Sequence, residues 1–160
     1  MKIFILYFFV ILTNLWGILF TNGCYCGKMS EEEKYCNSDW VAYVKSLRRG
    51  EVRDKEGKAS EYEYTVKLLK TFKAPKILKK ILFKDNKTCN QNNKIDCVYS
   101  ATNSAACGVE LKDGQEYLLF GRYDEDGKKK ISSCGFNREW EKVTEKLKKL
   151  LKDGDMDKYC

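Results

Sequence analysis

The chain has 160 residues, 30 Lys and Arg against 23 Asp and Glu, a formal net charge of +7, eight cysteines and no histidine. That length suits one domain. Without histidine there can be no Ser-His-Asp or Cys-His nucleophile and no H-E-x-x-H zinc site, so acid–base chemistry would fall to carboxylates or lysines; no pattern of these points to an enzyme.

The first segment bears on the compartment. Lys2 precedes an almost wholly apolar run over residues 3–12, which resumes over 15–20, and Thr21-Asn22-Gly23 follows with a small residue at its end. This is the layout of a secretory signal peptide at residues 1–23, cleaved after Gly23 to leave a secreted, extracellular domain of residues 24–160. A transmembrane anchor is the rival reading. Thr13 and Asn14 interrupt the run, and no basic stop-transfer cluster directly follows it. All eight cysteines, at 24, 26, 36, 89, 97, 107, 134 and 160, lie beyond the cleavage point. An even count in a small secreted chain reads as a disulfide framework whose connectivity spacing alone leaves open. With no C-x-x-C pair and no histidine, zinc ligation by these thiols is the weaker reading.

Ser30-Glu31-Glu32-Glu33 fits a capping box opening a short helix over 31–35. Residues 40–47 read as a strand, 48–60 as a long polar hairpin loop, and 61–72 as a second strand. In the latter, Tyr62, Tyr64, Val66, Leu68 and Phe72 share one face, and Leu69 is the exception to the alternation. Ala74-Pro75 breaks the chain. Residues 77–83 are a shorter strand candidate, and residues 85–96 are a polar loop that contains the glycosylation sequon Asn86-Lys87-Thr88 and Cys89 and ends at Cys97. A brief strand over 98–100, a loop over 102–107, and a hairpin of strands 117–123 and 129–133 follow. Asn137 can cap a helix reaching Lys152, with Trp140, Val143, Leu147, Leu150 and Leu151 as its apolar stripe and Gly154 as its C-cap. About five strands with flanking helices suggest a mainly β fold, and an OB-type five-stranded β-barrel is the preferred form.

Several of these residues carry a family resemblance. Cys24-Tyr25-Cys26 at a processed N-terminus, then Cys36-Asn37-Ser38-Asp39, resembles the tissue inhibitors of metalloproteinases. So do Ala105-Ala106-Cys107-Gly108-Val109, the strand from Glu116 to Gly121 with its hairpin into Cys134, and the terminal Tyr159-Cys160. The resemblance implies a netrin-like module, an OB barrel with flanking helices and only the inhibitory N-terminal part of that family. It also implies the bridges Cys24–Cys107, Cys26–Cys134 and Cys36–Cys160, with Cys89–Cys97 an additional clip.

The resemblance further implies a mechanism. The free α-amine and carbonyl of Cys24 would chelate the catalytic zinc of a matrix metalloproteinase-like protease. Tyr25 would enter its specificity pocket, and Cys26, Gly27, Lys28, Ser104, Ala105 and Ala106 would form the contact ridge. Met29 and residues 48–60 would touch the rim. The chain would carry no cofactor of its own, and the zinc belongs to the target. The expected state is a monomer with no nucleic-acid partner and no membrane contact after cleavage. This chain has Tyr25 where the family usually has Thr or Ser, Gly27-Lys28 where a stiffer pair is usual, and a smaller loop at Ser104-Ala105-Ala106. The alternative is a secreted netrin-like binding module for a receptor or an acidic extracellular-matrix glycan, inhibiting no protease. The charge balance would suit a polyanion, although the lysines are scattered.

Overall fold

The computed structural model describes residues 23–74 and 94–160. The expected strand at 77–83, the sequon at Asn86, the clip through Cys89 and nearly all of the leader lie outside the described residues. Within them run α1 (Glu31–Cys36), β1 (Trp40–Arg53), β2 (Ala59–Lys73), β3 (Ile95–Ala101), β4 (Glu116–Tyr123), β5 (Lys129–Lys130), β6 (Asn137–Glu139) and α2 (Glu145–Asp153).

The six strands form one sheet in the order β1-β2-β3-β5-β4-β6, and an additional β1–β4 pairing closes five of them into a ring. Closure removes the exposed edges of a sheet. All the pairings are antiparallel except β3–β5, where Tyr99 faces Lys130 in parallel. The result is the mainly β, OB-like barrel expected.

Alternation along each strand divides the apolar residues between two cores. One is the barrel interior, built from Trp40, Ala42, Val44, Tyr64, Val66, Val98, Leu111, Tyr117, Leu119 and Ile131. The other lies between the outer face of the sheet and the helices: Tyr35 of α1 and Leu147 and Leu151 of α2 pack with Val41, Leu118, Phe120, Phe136, Val143 and Met156. The barrel closes tightly over Trp40. A Cβ on Gly121 would fall 2.2 Å from the Trp40 ring, so only glycine fits opposite that indole, and the indole N–H donates to the Arg122 carbonyl.

Helix α1 begins as its sequence dictates. The Glu33 amide donates to the Ser30 hydroxyl, and the Ser30 amide donates to the Glu33 carboxylate. Its far end is held by Lys73, whose ammonium donates to the carbonyls of Tyr35 and Cys36 at 2.9 and 3.2 Å; burial pushes this amine below its ordinary pKa. Cys36–Cys160 then ties the helix to the C-terminal end of the chain.

The structure corrects four sequence expectations. Residues 48–60 are mostly strand: β1 and β2 continue their pairing to Arg53 and Ala59, and only the turn around Asp54 to Lys58 interrupts them. A hairpin extending away from the core has little to bury, so its polar composition looked like loop. Phe72 does not share the face of Tyr64 and Val66. The register skips Leu69 and Phe72 between their neighbours, and such bulges reverse the alternation, so Phe72 packs with the outer core. The strand at 129–133 is only Lys129–Lys130, because the chain then turns toward Cys107. Asn137 does not cap a helix: Asn137–Glu139 pairs with β4, a single 3-10 turn spans Trp140–Lys142, and α2 starts after Thr144, whose hydroxyl accepts from the Leu147 amide. The Gly154 C-cap is as expected, at φ 76°.

Candidate functional site: the doubly stapled N-terminal ridge

The stretch ahead of α1 has no regular secondary structure, so covalent bonds must fix it. Cys24–Cys107 and Cys26–Cys134 do so, with Cα–Cα distances of 5.0 and 5.1 Å and sequence separations of 83 and 108. Together with Cys36–Cys160, they match the pairing that the resemblance implied. Closing such long loops removes denatured-state entropy, about 2–4 kcal/mol per bridge.

Each anchor point is itself rigid. Ser104–Ala106 is a 3-10 turn whose Asn103 side chain accepts from the Ala106 amide at 2.8 Å. The turn ends at Cys107, a non-glycine residue held at φ 59°, and the Gly108 amide donates back to the Asn103 carbonyl. A Cβ on Gly108 would lie 2.4 Å from the Ala101 carbonyl oxygen and 2.7 Å from that of Asn103, so this position requires glycine. The second anchor, Cys134, lies in the bend after β5. There Ser133 donates its amide to the Cys107 carbonyl, and the Asn137 side chain donates to Ser132. The two anchor loops are therefore bonded to each other as well as to the tail.

Between these anchors Tyr25 is 90% exposed. Tyr25, Cys26, Gly27, Lys28 and Met29 form a continuous exposed edge, and Ser104, Ala105 and Ala106 are exposed beside Cys107. The expected ridge residues thus fall together on one end of the barrel. Met29, 39% exposed, borders a cleft of about 340 Å³ that is also lined by Lys34, Arg122, Ile131 and Cys134. Arg49 of the β1–β2 hairpin forms an ion pair with Glu110, three residues after Cys107. Sequence reasoning missed Ser133, whose hydroxyl lies 3.4 Å from the Cys24 sulfur; no local motif distinguishes it from Ser132.

The four sulfurs of Cys24, Cys26, Cys107 and Cys134 lie within 4.8 Å of one another. All four are oxidised into bridges, and zinc binds thiolates. In this state the cluster is a clamp with no ligands to offer a metal. Gly23 leads into it through open space, with no atom within 4 Å of where a Cβ would stand.

A family profile described as Tissue inhibitor of metalloproteinase matches residues 22–158. Metalloproteinase inhibitor 2 of Cricetulus longicaudatus is 31% identical over 134 residues, 80% of this chain and 60% of that protein. Metalloproteinase inhibitor 2 of Homo sapiens is 32% identical over 136 residues, 81% of this chain and 54% of that protein, and the Gallus gallus protein of the same name is 29% identical. The chain thus spans little more than half the length of these curated relatives. It belongs to the tissue inhibitor of metalloproteinase family.

Proposed function

We propose that this family member is a secreted inhibitor of zinc metalloendopeptidases, acting through Cys24 once residues 1–23 are removed. Its similarity to proteins named metalloproteinase inhibitor 2 supports the target class. Cleavage after Gly23 would turn the Cys24 nitrogen into a free α-amine. A neutral amine and the adjoining carbonyl oxygen form a five-membered chelate with a metal ion. A catalytic zinc keeps one coordination position open for water; the chelate would take that position and remove the nucleophile on which the protease depends. The zinc is the target's own. This chain supplies the chelating atoms and holds them in place.

The observation that carries the proposal is the exposure of Tyr25 between two disulfide-bonded neighbours. A free tail entering a cleft loses much conformational entropy, whereas a stapled one has already lost it. The side chain between the staples would enter the specificity pocket. Gly27, Lys28 and Ser104 to Ala106 would meet the cleft walls, with Met29 and the hairpin near its rim. Among the described residues no helix is long and apolar enough to cross a membrane. This is compatible with a secreted domain of residues 24–160.

The test compares three forms: authentic Cys24 terminus, one extra alanine ahead of it, and acetylated amine. Each is titrated against a panel of matrix-type metalloproteases. Strong inhibition by the first and a sharp loss in the other two is expected. Equal inhibition by all three, or none by any, refutes the chelation mechanism; the latter favours a netrin-like binding module for a receptor or glycan.

A further inference from the structure

The two staples touch. Cys107 Sγ lies 3.5 Å from Cys134 Sγ, although the two belong to different bridges. Cys24 Sγ lies 3.8 Å from both Cys26 Sγ and Cys134 Sγ. Cys26 is exposed, and the other three residues are half-buried. A thiolate freed in this cluster would already be in contact with the neighbouring disulfide. Thiol–disulfide exchange proceeds by attack of a thiolate on such a sulfur, at a rate set by thiolate fraction and access.

The geometry points to a thiol–disulfide exchange site at this cluster, whose substrate is an exposed dithiol reductant. One thiolate of the dithiol attacks Cys26 Sγ, forming a mixed disulfide and expelling Cys134 as a thiolate. The second thiol of the reductant then displaces Cys26 and departs as an oxidised disulfide. Two electrons and two protons have passed to Cys26 and Cys134. Cys134, again as its thiolate, attacks Cys107 Sγ. A Cys107–Cys134 bond forms, the Cys24–Cys107 bond breaks, and the electron pair leaves on Cys24, which takes up a proton. This second stage consumes no reductant.

The scaffold favours that product. The segments carrying Cys107 and Cys134 are joined by the Ser133 amide to Cys107 carbonyl bond at 2.9 Å and remain adjacent whatever the tail does. The new bridge would span a separation of only 27 residues, so both long-range staples are exchanged for one local link. No residue of the tail belongs to either core, and Cys36–Cys160 lies outside the sulfur cluster. Cys24 and Cys26 emerge as a free dithiol on an unpinned segment. A single reductive event would release the ridge and leave the fold standing. The consequence for inhibition rests on the reading proposed above; the exchange does not.

The mature protein is treated with increasing dithiothreitol, quenched with N-ethylmaleimide and mapped by mass spectrometry of its peptides. The expected first product carries label on Cys24 and Cys26, a Cys107–Cys134 linked peptide and an intact Cys36–Cys160 bridge, with an unchanged β-sheet circular dichroism signal. Inhibition should fall in step with the label, by about tenfold or more, because the preorganisation is gone. Label on Cys26 and Cys134 with Cys24–Cys107 retained overturns the exchange. So does simultaneous loss of Cys36–Cys160, or no labelling short of unfolding. The map needs no protease, so an expected map from a chain that never inhibited would refute the function and leave the exchange intact.

Discussion

The Ser133 amide donates to the Cys107 carbonyl at 2.9 Å, and this bond joins the two loops that hold the N-terminal ridge. Cys107 sits in the left-handed region at φ 59°, and directly after it the chain folds back closely at Gly108. Gly108→Ala should therefore act at the ridge as well as on stability. Its methyl would meet two backbone oxygens that cannot rotate away. Overpacking of this kind costs about 1–3 kcal/mol, and a urea titration would measure it. Inhibition should weaken beyond the fraction unfolded, since Cys24 moves with its anchor. A variant with wild-type stability and wild-type inhibition would show that the loop accommodates the methyl freely.

Tyr25 governs selectivity in the proposed mechanism and contributes almost nothing to folding. At 90% exposure it has little to lose on truncation, and substitutions at such sites usually change stability by less than about 0.5 kcal/mol. Tyr25→Thr should leave the thermal midpoint in place and extend inhibition to proteases with shallow specificity pockets, which a phenol cannot enter. Inhibition constants across proteases of graded pocket depth provide the check. An unchanged profile would mean that the side chain lies outside the pocket.

Features carried by adjacent residues were legible in the sequence. The Ser30–Glu33 capping box and the Gly154 cap are encoded within a single turn, and the alternation at Tyr62, Tyr64 and Val66 marked the barrel wall. Features decided by distant partners were not. Asn137 has the chemistry of a helix cap, yet pairing of Asn137–Glu139 with β4 takes that segment into the sheet and leaves the capping to Thr144. Cysteine spacing could not reveal which sulfurs meet; the family likeness supplied that, and the structure contains those three bridges. The Cys24-Tyr25-Cys26 pair places one end of each bridge side by side, but the contact of Cys107 Sγ with Cys134 Sγ had no local signature, because loops 27 residues apart create it.

The chelation mechanism has its own pH signature. An α-amine ordinarily titrates at about 7.7–8.0, and metal binding requires the deprotonated form. Inhibition should therefore weaken about tenfold per pH unit below that range and level off above it. Each protease has its own pH dependence, so the comparison is with a small-molecule inhibitor lacking an amine, measured in parallel. A ratio that stays flat from mild acid to mild alkali would show that the Cys24 amine is not a ligand.

Alkaline stability tests the packing behind the ridge. Burial, reinforced by hydrogen bonds to Asp157, Glu116 and Glu63, raises the phenol pKa of Tyr35, Tyr43 and Tyr99 respectively, with Tyr43 pushed up to about 12. Tyr123 is pushed up to about 12 as well, by burial first and then by the charges of Asp96 and Asp39. A folded-state pKa above the unfolded value means that the folded protein favours the neutral phenol. The stabilisation is then fully present below the ordinary value of 10.0 and is lost as pH rises through the shifted values. Thermal stability should accordingly be level up to about pH 10 and fall steeply from there toward pH 12. Tyrosinate absorbance should show a late phase in which Tyr35, Tyr43, Tyr99 and Tyr123 ionise together with unfolding. Tyr35→Phe, which removes the bond to Asp157, should soften this late phase. A single absorbance transition near pH 10 in the folded protein would contradict the raised values.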